Sequence, residues 1–164
     1  MHLYAIMKVS LICIGKTKDA YLQEGIKIYI ERLKHYVKFE LLEIPDVKLK
    51  GNKIQEAQVK SEEAKKLEKA LETCDHIVLF DEFGKEFTSV QFSQWWEKKN
   101  LMGLKHMALV IGGAYGFDES IHRIAQQKIA LSKMTFSHQM IRLLAVEQIY
   151  RAQTILANEP YHHV

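Results

Sequence analysis

His106-Met-Ala-Leu-Val-Ile-Gly-Gly-Ala-Tyr-Gly116 is the stretch on which the fold turns. Six residues of buried-strand character, HMALVI, break at once on Gly112 and Gly113, and a helix is expected to start near Asp118. Glycines at the end of a strand let the backbone turn and let a ligand approach main-chain N–H groups. The pattern is neither G-x-G-x-x-G nor a Walker loop, because no Gly-Lys-Ser/Thr follows. A structural turn and a ligand loop both fit these residues. In an open α/β sheet, ligands gather at the carboxyl ends of strands, where this loop sits.

The same strand-then-turn grammar recurs on either side. Lys8–Ile14 (KVSLICI) is rich in β-branched residues and ends at Gly15. Asp19 is placed to cap a helix reaching about Tyr36, with Leu22, Ile26, Tyr29, Ile30 and Leu33 on one face. Val37–Ile44 reads as a strand closed by Pro45-Asp46, and residues 46–52 as a loop. Lys53–Thr73 reads as a helix, its apolar face made by Ile54, Ala57, Ala64, Leu67 and Leu71. His76–Phe80 (HIVLF) is a short buried strand, after which Asp81-Glu-Phe-Gly84 is expected to turn the chain. Ser89–Lys99 forms a helix, Lys128–Leu131 a short strand, and a helix from about His138 to Ala157 closes the core. Strands alternating with helical connections predict an α/β domain with a mostly parallel sheet and flanking helices.

Composition agrees with one such domain. The chain has 164 residues, 48% hydrophobic and 26% charged, with a formal net charge of +3. No apolar run reaches the ~18 residues of a membrane span, so no membrane partner is expected. Residues 1–6 read as an extra or loose N-terminal segment, with one domain over 7–164. Two cysteines, Cys13 and Cys74, sit in apolar stretches and suit reduced, buried thiols in a cytoplasmic protein. They do not make a zinc site, and the terminal His162-His163 pair lacks a carboxylate or thiol at useful spacing, so no metal is expected.

Three further features carry candidate chemistry. Ser132–Gln139 (SKMTFSHQ) is polar at its ends and apolar in the middle, where Met134 and Phe136 suit either a core plug or the wall of a purine site. The last helix is apolar almost all round through Met140, Ile141, Leu143, Leu144, Ala145 and Val146. That surplus predicts a subunit interface. On this helix Glu147 and Arg151 are spaced to pair. Arg142 lacks a local partner, which points it toward a ligand or another subunit. Trp95-Trp96, beside Phe92, reads as packing rather than a base-stacking platform. The tail Pro160-Tyr-His-His-Val164 reads by default as a frayed end.

Taken together, these segments resemble the SPOUT-class methyltransferases and, among them, the small RlmH type, which methylates N3 of a pseudouridine in 23S rRNA. The resemblance runs from Met7 to His163. It rests on the strand ending at Gly15-Lys16, on Glu43-Ile-Pro45 and on Gly84-Lys85. It rests further on Val110-Ile-Gly-Gly113 with Gly116, Ser132–His138, Val146-Glu-Gln-Ile-Tyr-Arg-Ala152 and Pro160-Tyr-His162. One departure is Ser137, where the family often has proline; serine can cap the last helix instead. The resemblance implies a trefoil knot at the C-terminal end, which no periodicity would propose, and a homodimer. It also implies S-adenosylmethionine lined by Phe80, Gly112 and the run Leu131, Ser132, Lys133, Met134, Thr135 and Phe136. The partner it implies is 23S rRNA within the large subunit or ribosome.

The chemistry then reduces to aligning an activated methyl group and handling the N3 proton. The substrate-side candidates are His138, Arg142, Tyr161, His162 and His163. Two other readings stay open: a non-catalytic RNA- or ribosome-binding module on the same fold, and a SPOUT methyltransferase with another RNA target.

Overall fold

The computed structural model describes residues 6–51, 53 and 55–163. The expected N-terminal segment therefore lies outside the described residues except for Ile6, and Ile54 of the expected helix face lies outside them too. Among these described residues ten elements follow in order. They are β1 (Lys8–Ile14), α1 (Ala20–Leu33), β2 (Lys38–Ile44), α2 (Glu56–Leu71), β3 (His76–Glu86), α3 (Ser89–Leu101), β4 (His106–Ile111), α4 (Glu119–Ile124), β5 (Gln127–Ala130) and α5 (Met140–Leu156).

The five strands form one sheet in the order β2-β1-β4-β3-β5, and every neighbouring pair is parallel. Parallel strands need crossover connections, and the helices supply them, covering both faces. Side chains of each strand divide between two cores by the two-residue period. Val9, Leu11, Cys13, Val78, Phe80, Met107, Leu109 and Ile111 pack with residues of α1, α3 and α5. Ile12, Ile14, Ile77, Leu79, Ala108 and Val110 pack with Ala64, Leu67, Leu71 and Ile121 of α2 and α4. β2, on the edge, alternates between exposed and half-buried residues until Ile44.

The structure differs locally from the sequence reading. α1 stops at Leu33, and Asp19 occupies its N-cap position without a side-chain cap bond. α2 begins at Glu56 rather than Lys53. Asp81–Gly84 does not end β3; it bulges out of it. Phe80 and Lys85 both pair with Ile129 of β5, so the residues between them loop out of the ladder. Gly84 permits this, since a Cβ there would lie 2.6 Å from the Ile129 backbone. Thr88 and Gln91 close α3 with a reciprocal capping box. Trp95 and Trp96 are buried in the α3 core, as packing residues. Ser137 caps the last helix, its Oγ accepting from the Met140 N–H at 3.1 Å.

Cys13 and Cys74 are both free. Burial pushes the Cys13 thiol up to about 12, which makes it an inert core group. Among the described residues no helix is long and apolar enough to cross a membrane.

Candidate functional site

Three parallel strands, β4, β3 and β5, end side by side, and the segments that leave them surround a cleft of about 840 Å³. From the end of β3 come Phe80 and the bulge residues Asp81, Glu82 and Phe83. From β4 come Ile111, Gly112, Gly113 and the following turn. After β5 come Leu131, Ser132, Met134, Thr135, Phe136, Ser137 and His138, with Ile141 of α5 behind them. This is the carboxyl edge of the sheet, where a parallel α/β fold collects its ligands.

Of the residues anticipated for a cofactor, Phe80, Gly112, Leu131, Ser132, Met134, Thr135 and Phe136 line the cleft, and Lys133 does not. The Ser132 hydroxyl accepts from the Met134 N–H at 2.9 Å and shapes this loop. Met134 is 76% exposed, so it is a rim residue and not a core plug. Gly112 is needed for space rather than for a left-handed backbone. A Cβ there would lie 3.2 Å from the Phe117 ring, whereas Gly116 is the residue of this turn with positive φ, +79°. Gly113 is close-packed as well: a Cβ would meet the Glu63 carboxylate at 2.6 Å.

The cleft also has a wall that sequence reasoning missed. Glu56 and Lys60 of α2, Tyr115 and Phe117 of the turn, and Glu119 and His122 of α4 complete it. The Phe117 ring meets His122 edge-on at 5.9 Å, and His122 Nδ1 is buried without a hydrogen-bond partner. Tyr115 and Phe117 were within reach of a sequence argument because they flank the glycine turn. The α2 residues carried no local signal.

The substrate-side candidates separate into three places. His138 lines the cleft. Burial, then the positive charges of Arg142 and Lys18, hold its imidazole below the ordinary histidine range, with Asp46 opposing. A neutral imidazole is a competent proton acceptor near pH 7.

Arg142 is fully buried and forms no part of the wall. The partners that the local sequence lacks come from far along the chain. Its guanidinium donates to the main-chain oxygens of Ile14 at 2.6 Å and Gly15 at 2.8 Å, to Thr17 Oγ1 at 3.0 Å and to Glu43 Oε2 at 3.2 Å. Its Nε donates to the His138 carbonyl at 3.0 Å. Arg142 therefore ties the end of β1 to the start of α5 and fixes the backbone of His138, instead of reaching toward a ligand.

Tyr161, His162 and His163 do not line the cleft of their own chain, and Tyr161 and His162 are held against α5. Tyr161 donates to Glu147 at 3.0 Å, contacts the Tyr29 hydroxyl at 3.2 Å, and packs edge-on against Tyr150. Arg151 lies over its ring at 4.7 Å. Glu147 and Arg151 pair as their spacing suggests, and Arg151 Nη1 also bonds His162 Nδ1 at 3.1 Å. Guanidinium has no acceptor, so the His162 Nδ1 is unprotonated and its Nε2 carries any proton. His163 is exposed. Among the described residues no group of three His, Cys, Asp or Glu is placed to hold a metal ion.

Comparison with known proteins bears on this site. Residues 7–162 match the family described as "Predicted SPOUT methyltransferase". A protein of Parabacteroides distasonis named ribosomal RNA large subunit methyltransferase H is 55% identical over 157 residues, 96% of this chain and 99% of that protein. One of the same name from Christiangramia forsetii is 52% identical over the same shares. Among solved structures, a probable methyltransferase from Bordetella pertussis Tohama I superposes with a TM-score of 0.58 at 12% identity, over 91% of this chain and 98% of that one. A tRNA (m1G37) methyltransferase from Aquifex aeolicus superposes at 0.55 and 15% identity, over 96% and 75%. These two likenesses are of fold. With the family match across nearly its whole length, and with relatives of more than half its residues in common, the chain belongs to the SPOUT methyltransferase family.

Proposed function

We propose that this protein transfers a methyl group from S-adenosylmethionine to N3 of a pseudouridine in 23S rRNA, as a cytoplasmic homodimer acting on the large subunit or ribosome. The observation that carries the reading is the cleft at the carboxyl ends of β3, β4 and β5. There Phe80, Gly112, Leu131, Ser132, Met134, Thr135 and Phe136 meet His138. The names of the relatives support ribosomal RNA as substrate.

The residues present fit the methyl donor. Phe80, Ile111, Leu131 and Phe117 offer apolar walls for a purine, and the space that Gly112 leaves beside Phe117 admits a ligand close to the main chain. Four carboxylates, Glu56, Asp81, Glu82 and Glu119, outnumber Lys60 and Lys128 on the walls, which favours a cationic ligand. When bound, S-adenosylmethionine supplies an activated methyl group on a sulfonium.

The chain's own residues then orient and deprotonate. As the N–C bond forms, the N3 proton of the imide must leave, and His138 is the neutral acceptor at the cleft. Arg142 holds the His138 backbone in place. Tyr161, His162 and His163 are assigned to the RNA side. Glu147, which holds Tyr161, lies six residues beyond Ile141 of the cleft, about 9 Å along the helix. The half-buried Leu143 and Leu144 supply the apolar surface for the second subunit. The trefoil knot belongs to the same proposal. Family membership supports it, as does the way α5 packs against both α1 and α3 while its first turn is tied to the end of β1.

The test is to map N3-methylated pseudouridine in large-subunit rRNA from a deletion strain, with and without the restored gene. Loss and recovery of the mark supports the assignment. An unchanged mark with a different methylated site means another RNA target. Absence of S-adenosylmethionine binding by isothermal titration means a non-catalytic module.

A further inference from the structure

We infer that the turn Gly15–Lys18 is a phosphate ledge, on which Lys16 and Lys18 hold the RNA backbone next to the nucleotide presented to the cleft; this rests on the RNA-methylation reading. The first argument is rigidity. Lys16 and Lys18 are exposed while Thr17 between them is buried. Surface turns of this kind are ordinarily free to move, but each residue of this one is tied down. The Gly15 carbonyl and the Thr17 hydroxyl accept from the buried Arg142. The Lys16 carbonyl accepts from Gln139 Nε2 at 3.1 Å, and the Lys18 N–H donates to Gln139 Oε1 at 2.9 Å. The Thr17 N–H donates to Glu43, and the Thr17 carbonyl accepts from Gln23 at 2.7 Å.

The second argument is what the ties connect. Gln139 and Arg142 flank the first turn of α5, directly after His138, so the two lysines are held in register with the cleft. Lys18 is near enough to His138 to act on its imidazole. A contact fixed in advance loses less freedom on binding.

The third argument is charge. The cleft walls set four carboxylates against Lys60 and Lys128, an excess of negative charge that disfavours phosphodiesters inside. Among the described residues neither Lys16 nor Lys18 forms an ion pair. Glu43, the carboxylate nearest the turn in the hydrogen-bond network, is engaged by Arg142 and the Thr17 N–H. The Asp46 carboxylate lies against Gly15 and is the negative charge beside the ledge that Lys16 and Lys18 must outweigh; the loop that follows it carries Lys48 and Lys50.

The experiment compares the full-length protein with its Lys16→Gln/Lys18→Gln variant on ribosomal particles from the deletion strain, over a range of salt. A second double variant, Lys98→Gln/Lys105→Gln, removes the same charge at exposed positions away from the cleft. The expected result is a KM at least tenfold higher for the ledge variant near 0.15 M salt, with kcat within about twofold and S-adenosylmethionine affinity unchanged. The slope of log(kcat/KM) against log salt should fall by about 1–2, as two lost phosphate contacts require. An unchanged slope, an equal effect from Lys98→Gln/Lys105→Gln, or a fall in kcat alone overturns the ledge. Should the unaltered protein transfer no methyl to rRNA, it is the methylation reading that fails. Salt-dependent binding of a single-stranded RNA oligomer then decides the ledge separately, by the same comparison of slopes.

Discussion

The hydroxyl of Tyr161 lies 3.0 Å from Glu147 Oε1, and through this bond the last residues of the chain are fastened to the middle of α5. Burial, the Tyr29 hydroxyl and the Glu147 carboxylate all push the Tyr161 phenol above its ordinary range, so it stays a donor at any physiological pH. Tyr161 and His162 are therefore docked on α5 by contacts within the chain itself. Deleting residues 161–164 should leave dimerisation and S-adenosylmethionine affinity nearly intact while methyl transfer to ribosomal RNA falls at least about tenfold, or ~1.4 kcal/mol. Full activity in the truncated protein, measured by single-turnover transfer, would return the catalytic burden to His138.

Gly112→Val should abolish binding of the methyl donor without unfolding the chain. The branched side chain presses on Phe117, whose ring lies 3.2 Å from the position of a Cβ, and fills the cleft side of the turn. Each 1.4 kcal/mol lost is about tenfold in affinity. Isothermal titration at unchanged melting temperature is the check; an unaltered Kd removes this turn from the site.

Leu144→Asp should dissociate the proposed dimer. Leu144 is half-buried on α5 within one chain, so a carboxylate there is tolerated in a monomer but not against a second apolar helix. Sedimentation at micromolar concentration distinguishes the two. A parent protein that is already monomeric refutes the interface.

Arg142→Met should cost about 3–5 kcal/mol of stability, because it strips the donors from the Ile14 and Gly15 carbonyls and leaves Glu43 without its guanidinium. Denaturant midpoints give the value. A loss below 1 kcal/mol would mean that this turn is held by Gln139 and Glu43 alone.

Glu63→Gln tests the carboxylate under Gly113. Burial, then Asp46, holds the Glu63 carboxyl above the ordinary glutamate range. The folded state thus binds the proton more tightly than the unfolded chain, whose glutamate titrates at about 4.3. This group's contribution is complete below about pH 4 and is lost as pH rises through the raised value. The Gln variant should melt above the parent at pH 7.5 and match it near pH 4. A variant less stable at pH 7.5 contradicts this.

What the sequence by itself determined is local. Short apolar or alternating runs closed by turn residues placed all five strands, and the 3–4 spacing placed the longer helices to within a few residues, because burial on one face of an element leaves its period in the chain. The glycine turn after β4 and the loop Leu131–Phe136, Lys133 apart, were legible as walls of the cleft because both follow strands, and the family resemblance pointed to the same positions. The Asp81–Gly84 segment read as a turn because its composition is that of a turn; only pairing with Ile129 makes it a bulge within β3. Arg142 looked unpartnered because its acceptors, Ile14, Gly15, Thr17 and Glu43, lie about a hundred residues or more away. The docking of Tyr161 on Tyr29 and Glu147, the carboxylate of Glu63 beneath Gly113, and the α2 and α4 wall of the cleft were decided by tertiary structure alone. Each joins segments whose separation along the chain leaves no periodic trace, since side-chain spacing records which face is buried and not what covers it.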